Sequence, residues 1–282
     1  MPLAGNVTTV AGITADYVRI FLWPDQFAVG AVRPAVNGDW SFEVPIAGDY
    51  GVTYIAAGCR PMTEGPYNVP AGAVDGLVLL YTMDSIDGGV VVDQVGNFQG
   101  AIDGDPQIVG GPVGTSLRLD GAGDRVVVGD VGITDAVTLS AKVSINTLPS
   151  NDRVVLFGLQ DEVGSRYNLT VSLETDGSLR LWCTESDGNQ STFNIGEAFQ
   201  QGDYFTLIID HQNGRFRMFI DDITVVDHAG PPGGIGGEAL DLVIGADITA
   251  IRYASMDICQ FRVFSRVLAD IERQWLKLEG EG

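Results

Sequence analysis

Lysine is nearly missing: Lys142 and Lys277 are the only two among 16 basic residues, against 37 acidic residues and a net charge of −21. A field of that sign repels phosphate backbones and anionic headgroups, which argues against nucleic acid and membrane surfaces as partners. Cysteine is scarce too. Cys59, Cys183 and Cys259 are odd in number, far apart and without a CxxC pair, so neither a disulfide framework nor a structural zinc site is encoded. Each sits in an apolar or strand-like context that suits a buried thiol. No run of about 18 apolar residues offers a membrane span. The opening MPLAGNVTTVAG lacks the basic and apolar regions of an export signal.

Several catalytic signatures are also missing. A glycosidase needs two carboxylates flanking the scissile bond, which on a strand means alternating acids such as ExDxxE, and no such run occurs. Asp221 and Asp222 are adjacent, so a regular strand would point them to opposite faces, and Asp161, Glu162 and Asp241 sit beside turns. GTS at Gly114–Ser116 lacks the trailing glycine of a serine-nucleophile elbow. The two histidines, His211 and His228, flank one hairpin and read as solvated turn or edge residues, with a metal pair conceivable only where the strand ends meet. Glycine-rich GPPGGIGGEA (230–239) is followed by no phosphate-loop lysine and reads as a connection between strands.

What the chain has in quantity is strand pattern. With 45% hydrophobic residues, 19% charged and 37 glycines, it is globular and turn-rich. In residues 1–74, Val18, Ile20 and Leu22 share a face, and an Asn37-Gly38-Asp39 turn precedes alternating Trp40, Phe42 and Val44. This reads as a small β-sandwich; Trp23 and Trp40 fit its core or an interface. At about 70 residues it is short of core and leans on a partner. Residues 75–282 carry eleven further strand candidates, from LVLLYTM to DICQFRVF, with Asp-Gly or Asn-Gly turns in ETDGSL, ESDGNQ and HQNGRF. Hairpins at this density predict an all-β chain with a large antiparallel sandwich and exclude a parallel βαβ body. After the last strand, Ser265 is placed to cap a short helix whose stripe Val267, Ile271, Trp275 and Leu278 lies back over the sandwich.

That ending, with Asp257, Phe261, Arg262, Val263, Phe264, Arg266, Leu268 and Glu272, resembles the closing element of laminin-G-like, concanavalin-A-like jelly rolls. VVDQVGNFQGAIDG, SLRLDGAGDRVVVGD, RFRMFIDDITVVD and LDLVIGAD match the same family in order, with Asp221-Asp222 where the family more often has Asp-Gly. The resemblance implies a bound calcium ion at Asp93 with the Gly96–Asn97 loop and at Asp257. Asp120, Asp124 and Asp130 are weaker candidates on loops, and solvated turn acids are the competing reading. The amino-terminal VRIFLW, NGDWSFEVP and GVTYIAAGCRPMTEGPYNV resemble small immunoglobulin-like or carboxypeptidase-regulatory-like sandwiches at the start of tailed-phage virion proteins.

For ligand binding the expectation rests on Trp182. In SLRLWCTE it shares the polar face with Arg180 and Thr184, opposite Leu179, Leu181 and Cys183. Tyr167, beside Arg166, and Tyr253, beside Arg252, would extend a sugar-stacking platform; packing of Trp182 against a strand or subunit is the alternative. The combined reading is a non-enzymatic phage structural protein, assembled into the virion in the host cytoplasm. It would attach to capsid or tail proteins as a homo-oligomer and display a jelly roll that binds a host-surface glycan or protein. A capsid or tail decoration protein is the alternative, and a glycoside hydrolase ranks third.

Overall fold

Alternating apolar residues broken by Asp-Gly and Asn-Gly turns are satisfied by antiparallel strands joined in hairpins. The computed structural model adopts that solution. It describes residues 2–6, 15–22, 27–43, 48–57, 60–69, 76–84, 86–133, 135–161, 166–196, 199–235 and 240–278. The chain divides into two compact units, Met1–Asp75 and Gly76–Glu281.

The first unit contains β1 (Pro2–Asn6), β2 (Tyr17–Leu22), β3 (Phe27–Val32), β4 (Asp39–Glu43), β5 (Gly48–Ile55) and β6 (Met62–Val69). Strands β3-β2-β5-β6 form one antiparallel sheet and β1-β4 a second. Val18 and Ile20 are fully buried with Tyr50 and Val52, as their shared face requires. Trp40 is buried and meets Tyr54 edge-on at 6.2 Å. Trp23, Val44 and Cys59 lie outside the residues whose placement is described.

The second unit opens with β7 (Leu77–Tyr81), β8 (Ile86–Asp87), β9 (Val90–Val91), β10 (Gly100–Asp103), β11 (Gln107–Gly110) and β12 (Thr115–Asp120). It continues through β13 (Arg125–Asp130), β14 (Ala136–Thr147), β15 (Val154–Asp161), β16 (Arg166–Leu173), β17 (Leu179–Thr184) and β18 (Gln190–Ile195). Strands β19 (Tyr204–Gln212), β20 (Arg215–Ile220), β21 (Ile223–Ala229), β22 (Leu240–Ile244) and β23 (Ser255–Phe264) precede helix α1 (Asp270–Leu278). One sheet has nine strands in the order β18-β17-β16-β15-β22-β13-β10-β9-β8. The other has eight, β11-β12-β23-β14-β19-β20-β21 with β7 beside β23. The central ladders are antiparallel. Between the sheets lies one apolar core, bridged where Phe157 of β15 meets Phe261 of β23 edge-on at 5.3 Å. This is the all-β jelly roll with a short terminal helix that the strand pattern implies.

Closing strand β23 departs from strict alternation. Gln260 takes a left-handed φ of 51° and the register against β14 shifts there, so Met256 and Ile258 before the bulge and Phe261 and Val263 after it all join the core. Asp221 and Asp222 form the β20–β21 turn with φ values of 48° and 66°, the left-handed pair that a two-residue hairpin demands.

The helix differs from expectation at its start. Ser265 is tied to the Gly76 carbonyl and caps nothing; Ala269 accepts the first helical bonds while the Glu272 carboxylate reaches back to the Ala269 amide. Burial falls on Leu268, Arg273 and Leu276, and the side chains of Ile271 and Trp275 lie outside the described ones. Arg273 places its guanidinium 4.1 Å from the Phe219 ring centre, and Lys142 Nζ donates to the Lys277 carbonyl at 2.9 Å. The helix therefore covers the outer face of the eight-stranded sheet. Leu276→Ala is expected to cost about 2–3 kcal/mol by opening a cavity beneath it; an unchanged melting temperature would contradict that docking.

Candidate functional site

Leu169, Val171 and Leu173 of β16 and Leu179, Leu181 and Cys183 of β17 all point into the core. Period two then turns Thr170, Ser172, Arg180 and Trp182 to the outer face of the nine-stranded sheet. The register sets Trp182 opposite Thr170 and Arg180 opposite Ser172. Trp182 Nε1 donates to Ser172 Oγ at 2.8 Å, and its ring lies 5.3 Å from that of Tyr167. Arg153, at the entry to β15, brings its guanidinium carbon to 4.6 Å from the Trp182 ring centre and 5.6 Å from that of Tyr167. Arg180 comes to 5.2 Å from the same indole. The sequence-predicted Trp182, Arg180 and Tyr167 thus meet in one cluster. Its surface is not a bare aromatic face, however: Tyr167 is only 9% exposed, and guanidinium groups already lie over the rings.

Tyr253 enters through its neighbour. Arg252 donates from Nη1 to the Tyr167 hydroxyl at 3.1 Å and to Asp247 Oδ2 at 2.9 Å, while its Nε bonds Asp152 Oδ2 at 2.9 Å. Asp247 Oδ1 accepts the Ile251 and Arg252 amides, fixing the turn that leads to Tyr253. Burial works to raise the Asp247 carboxyl, but those amides and Arg252 outweigh it and hold the group below the usual carboxylate range. Asp152 is held low as well, chiefly by its hydrogen bond from Arg252. Burial and then the Asp247 charge push the Tyr167 phenol up.

Beside this cluster a cleft of about 370 Å³ opens between the 147–154 loop, residues 251–255 and Asp120–Gly121, with Arg153, Arg252 and Tyr253 on its walls. That volume falls within the range of small-ligand sites, about 300–1,000 Å³. Arg153, Asp152 and Asp247 were not singled out from the sequence. Nothing in the local pattern marks Arg153, which lies 29 positions before Trp182 and reaches it only through the fold.

The expected calcium residues Asp93 and Asp257 both meet protein partners. Asp93 is buried, and its two oxygens accept the amides of Leu80, Val95, Asn97 and Phe98, so the Gly96–Asn97 loop wraps around the carboxylate. Asp257 is clamped by Arg118 at 2.8 and 2.7 Å and by Asn146 at 2.7 Å. These two acids belong to different elements, Asp93 in the loop between β9 and β10 and Asp257 on β23. The acids that do gather are Asp105, Asp120 and Asp124, with one oxygen of each within 4.8 Å of the others, an arrangement that could hold a metal ion. Asp124 anchors it by accepting the amides of Asp105 and Asp120. Gly104, at φ 87°, leaves room for Asp124, since a Cβ there would come within 2.2 Å of its Oδ1. Asp130 instead accepts the Gly132 amide in its own turn.

The histidines do not form a pair. Phe216 stands between them in the ladder, with ring centres 4.5 Å from His211 and 6.5 Å from His228, and His228 Nε2 bonds Glu185 at 2.9 Å. His211 is buried, not solvated as its sequence position suggested, and burial pushes its pKa down to about 4. The folded state then resists protonation more than the unfolded chain, whose histidine titrates near 6.5. The stability due to neutral His211 is full above about pH 6.5 and is lost as pH falls toward 4. His211→Gln is expected to flatten the fall in melting temperature over that interval; an identical fall in wild type and variant would contradict it.

With this geometry in place, comparison with known proteins gives the class. Residues 120–272 match the Laminin_G_3 family model, described as the concanavalin A-like lectin/glucanases superfamily, and the chain belongs to that family. Comparison with curated proteins returned no match. Among solved structures, domain 4 of AbnA, a GH43 extracellular arabinanase from Geobacillus stearothermophilus in complex with arabinotriose, is 19% identical with a TM-score of 0.56. It covers 71% of this chain and 98% of that one. The receptor binding domain of botulinum neurotoxin C/D mosaic serotype is 13% identical with a TM-score of 0.55, over 71% of this chain and 50% of that one. Trypanosoma rangeli sialidase in complex with the inhibitor DANA is 18% identical with a TM-score of 0.56, over 73% and 33%. The chain thus spans about half the neurotoxin domain and a third of the sialidase. At these identities the likeness is one of fold. Among the described residues no helix is long and apolar enough to cross a membrane.

Proposed function

We propose that the protein is a non-enzymatic recognition module of a bacteriophage particle whose jelly roll binds a host-surface glycan. The observation that carries this reading is the cleft of about 370 Å³ walled by Arg153, Arg252 and Tyr253 beside the Trp182–Tyr167 pair. Such a combination of polar forks and rings suits a sugar's hydroxyls and C–H faces. The arabinotriose-bound arabinanase domain, matched over almost its whole length, supports a saccharide ligand, and the neurotoxin domain supports a receptor role for the fold. Binding is favoured over hydrolysis because Asp152 and Asp247 are both ion-paired to Arg252 and both held as carboxylates, leaving neither as the protonated acid that glycoside cleavage requires.

The virion setting is proposed from the amino-terminal resemblance, with the first unit attaching to capsid or tail proteins and copies of the chain assembling together. Buried Cys183 and Cys259, neither of them in a disulfide, suit assembly in a reducing host cytoplasm. On a glycan array and on host cells the full chain is expected to bind, and Trp182→Ala to weaken binding about tenfold or more by unseating both arginines. Undiminished binding by the variant would contradict the site. Localisation to particles with no binding to glycan or cell would instead favour a decoration role.

For the Asp105–Asp120–Asp124 cluster we propose calcium, a hard cation that takes carboxylate oxygens from loops. Asp120 also lines the cleft, so the ion would brace its rim. Adding calcium to chelator-treated protein is expected to raise the melting temperature, and to do so less in Asp120→Asn; no shift in the wild type would remove the proposal.

A further inference from the structure

Arg153 differs from its neighbours in what balances its charge. Arg252 is paired with Asp152 and Asp247, and Arg180 lies 3.4 Å from Glu174. Arg153 rests on the rings of Trp182 and Tyr167, and no carboxylate among the described residues comes within ion-pair distance of it. Its Nε is shielded from solvent and has no hydrogen-bond partner. This occurs in a chain with 37 acids for 16 bases, where a partner for any cation is easily supplied.

Ring faces attract a guanidinium but accept none of its in-plane N–H bonds, so apart from its bond to the Tyr167 hydroxyl the Nη edge of the fork stays available to a ligand. Tyr167, backed by Asp247, and Trp182, tied to Ser172, hold that fork against the cleft wall that Arg153 itself forms. A rigid, planar fork with no carboxylate partner matches a planar carboxylate through two parallel bonds, a fit that neither an ammonium nor a neutral hydroxyl reproduces.

We infer that Arg153 makes the cleft selective for acidic saccharides, with the carboxylate of a uronic-acid-type sugar seated on its guanidinium. The inference rests on the glycan-binding reading above and names the ligand class for that site. The chain's overall negative field opposes such a ligand at a distance but is screened beyond about 8 Å at physiological ionic strength, so the local cation decides.

The test presents the full chain with uronic-acid oligosaccharides and the same oligosaccharides after reduction of their carboxyls to neutral alcohols. The acidic forms are expected to bind roughly tenfold more tightly or better, the scale of a charge-assisted hydrogen-bond pair. Arg153→Gln should erase that preference, and Arg153→Lys should restore only part of it because it keeps the charge and loses the fork. Equal wild-type binding to acidic and reduced forms would overturn the acidic class and leave the glycan reading standing. Binding to neither form, nor to any other glycan on the array, would overturn both. Because the first comparison uses wild-type protein, a variant that fails to fold cannot obscure it.

Discussion

Register in the nine-stranded sheet is the constraint on which the rest depends. Once Leu169, Val171, Leu179 and Leu181 are committed to the core, Thr170, Ser172, Arg180 and Trp182 have no choice of side. A slip of one residue would bury an arginine and a tryptophan hydrogen bond while exposing the leucines. The apolar core thus fixes the outer polar face that the recognition cluster is built on, and stability and function share a single specification.

Charge is organised on the same principle. Several buried or half-buried cations are balanced locally: Arg217 by Asp210, Arg252 by two aspartates and Arg273 by Asp270 with the Phe219 ring. Asp210 is buried enough that its carboxyl is raised despite Arg217, so that pair serves placement more than net stability, whereas Asp247 and Asp257 are held low. Against that pattern, the Arg153 guanidinium, held on aromatic rings with no carboxylate at ion-pair distance among the described residues, is an exception located in the cleft wall, which is where a ligand would complete it.

Much of the fold was legible in the sequence because its signals are local. Period-two runs gave the long strands, and Asp-Gly and Asn-Gly turns gave their hairpins. Strands β8 to β11 escaped because they are two to four residues long, and β18 because QSTFNI is a polar edge strand. The bulge at Gln260 was hidden because no residue type announces a left-handed glutamine. Ser265 misled as a cap: a serine before an apolar stripe also serves as a bridge to a distant segment, here Gly76 just before β7. The outward placing of Trp182 and Arg180 was legible from alternation and Tyr167 was expected on a turn but lies in β16, whereas Arg153 and the Asp105–Asp120–Asp124 cluster are assembled by tertiary pairing between distant loops. Asp93 and Asp257 looked like ligands because short-range pattern cannot distinguish a carboxylate facing an ion from one saturated by amides or an arginine.

The central claim is that the outer face around Trp182 and Arg153, not another surface of the jelly roll, is where this protein meets its ligand. A crystal structure with a bound oligosaccharide tests it most directly. The account predicts density in the cleft between Arg153 and Tyr253, with the Trp182–Tyr167–Arg153 stack unchanged around it. A saccharide seated on the eight-stranded sheet, or on the opposite rim far from Arg153, would contradict it.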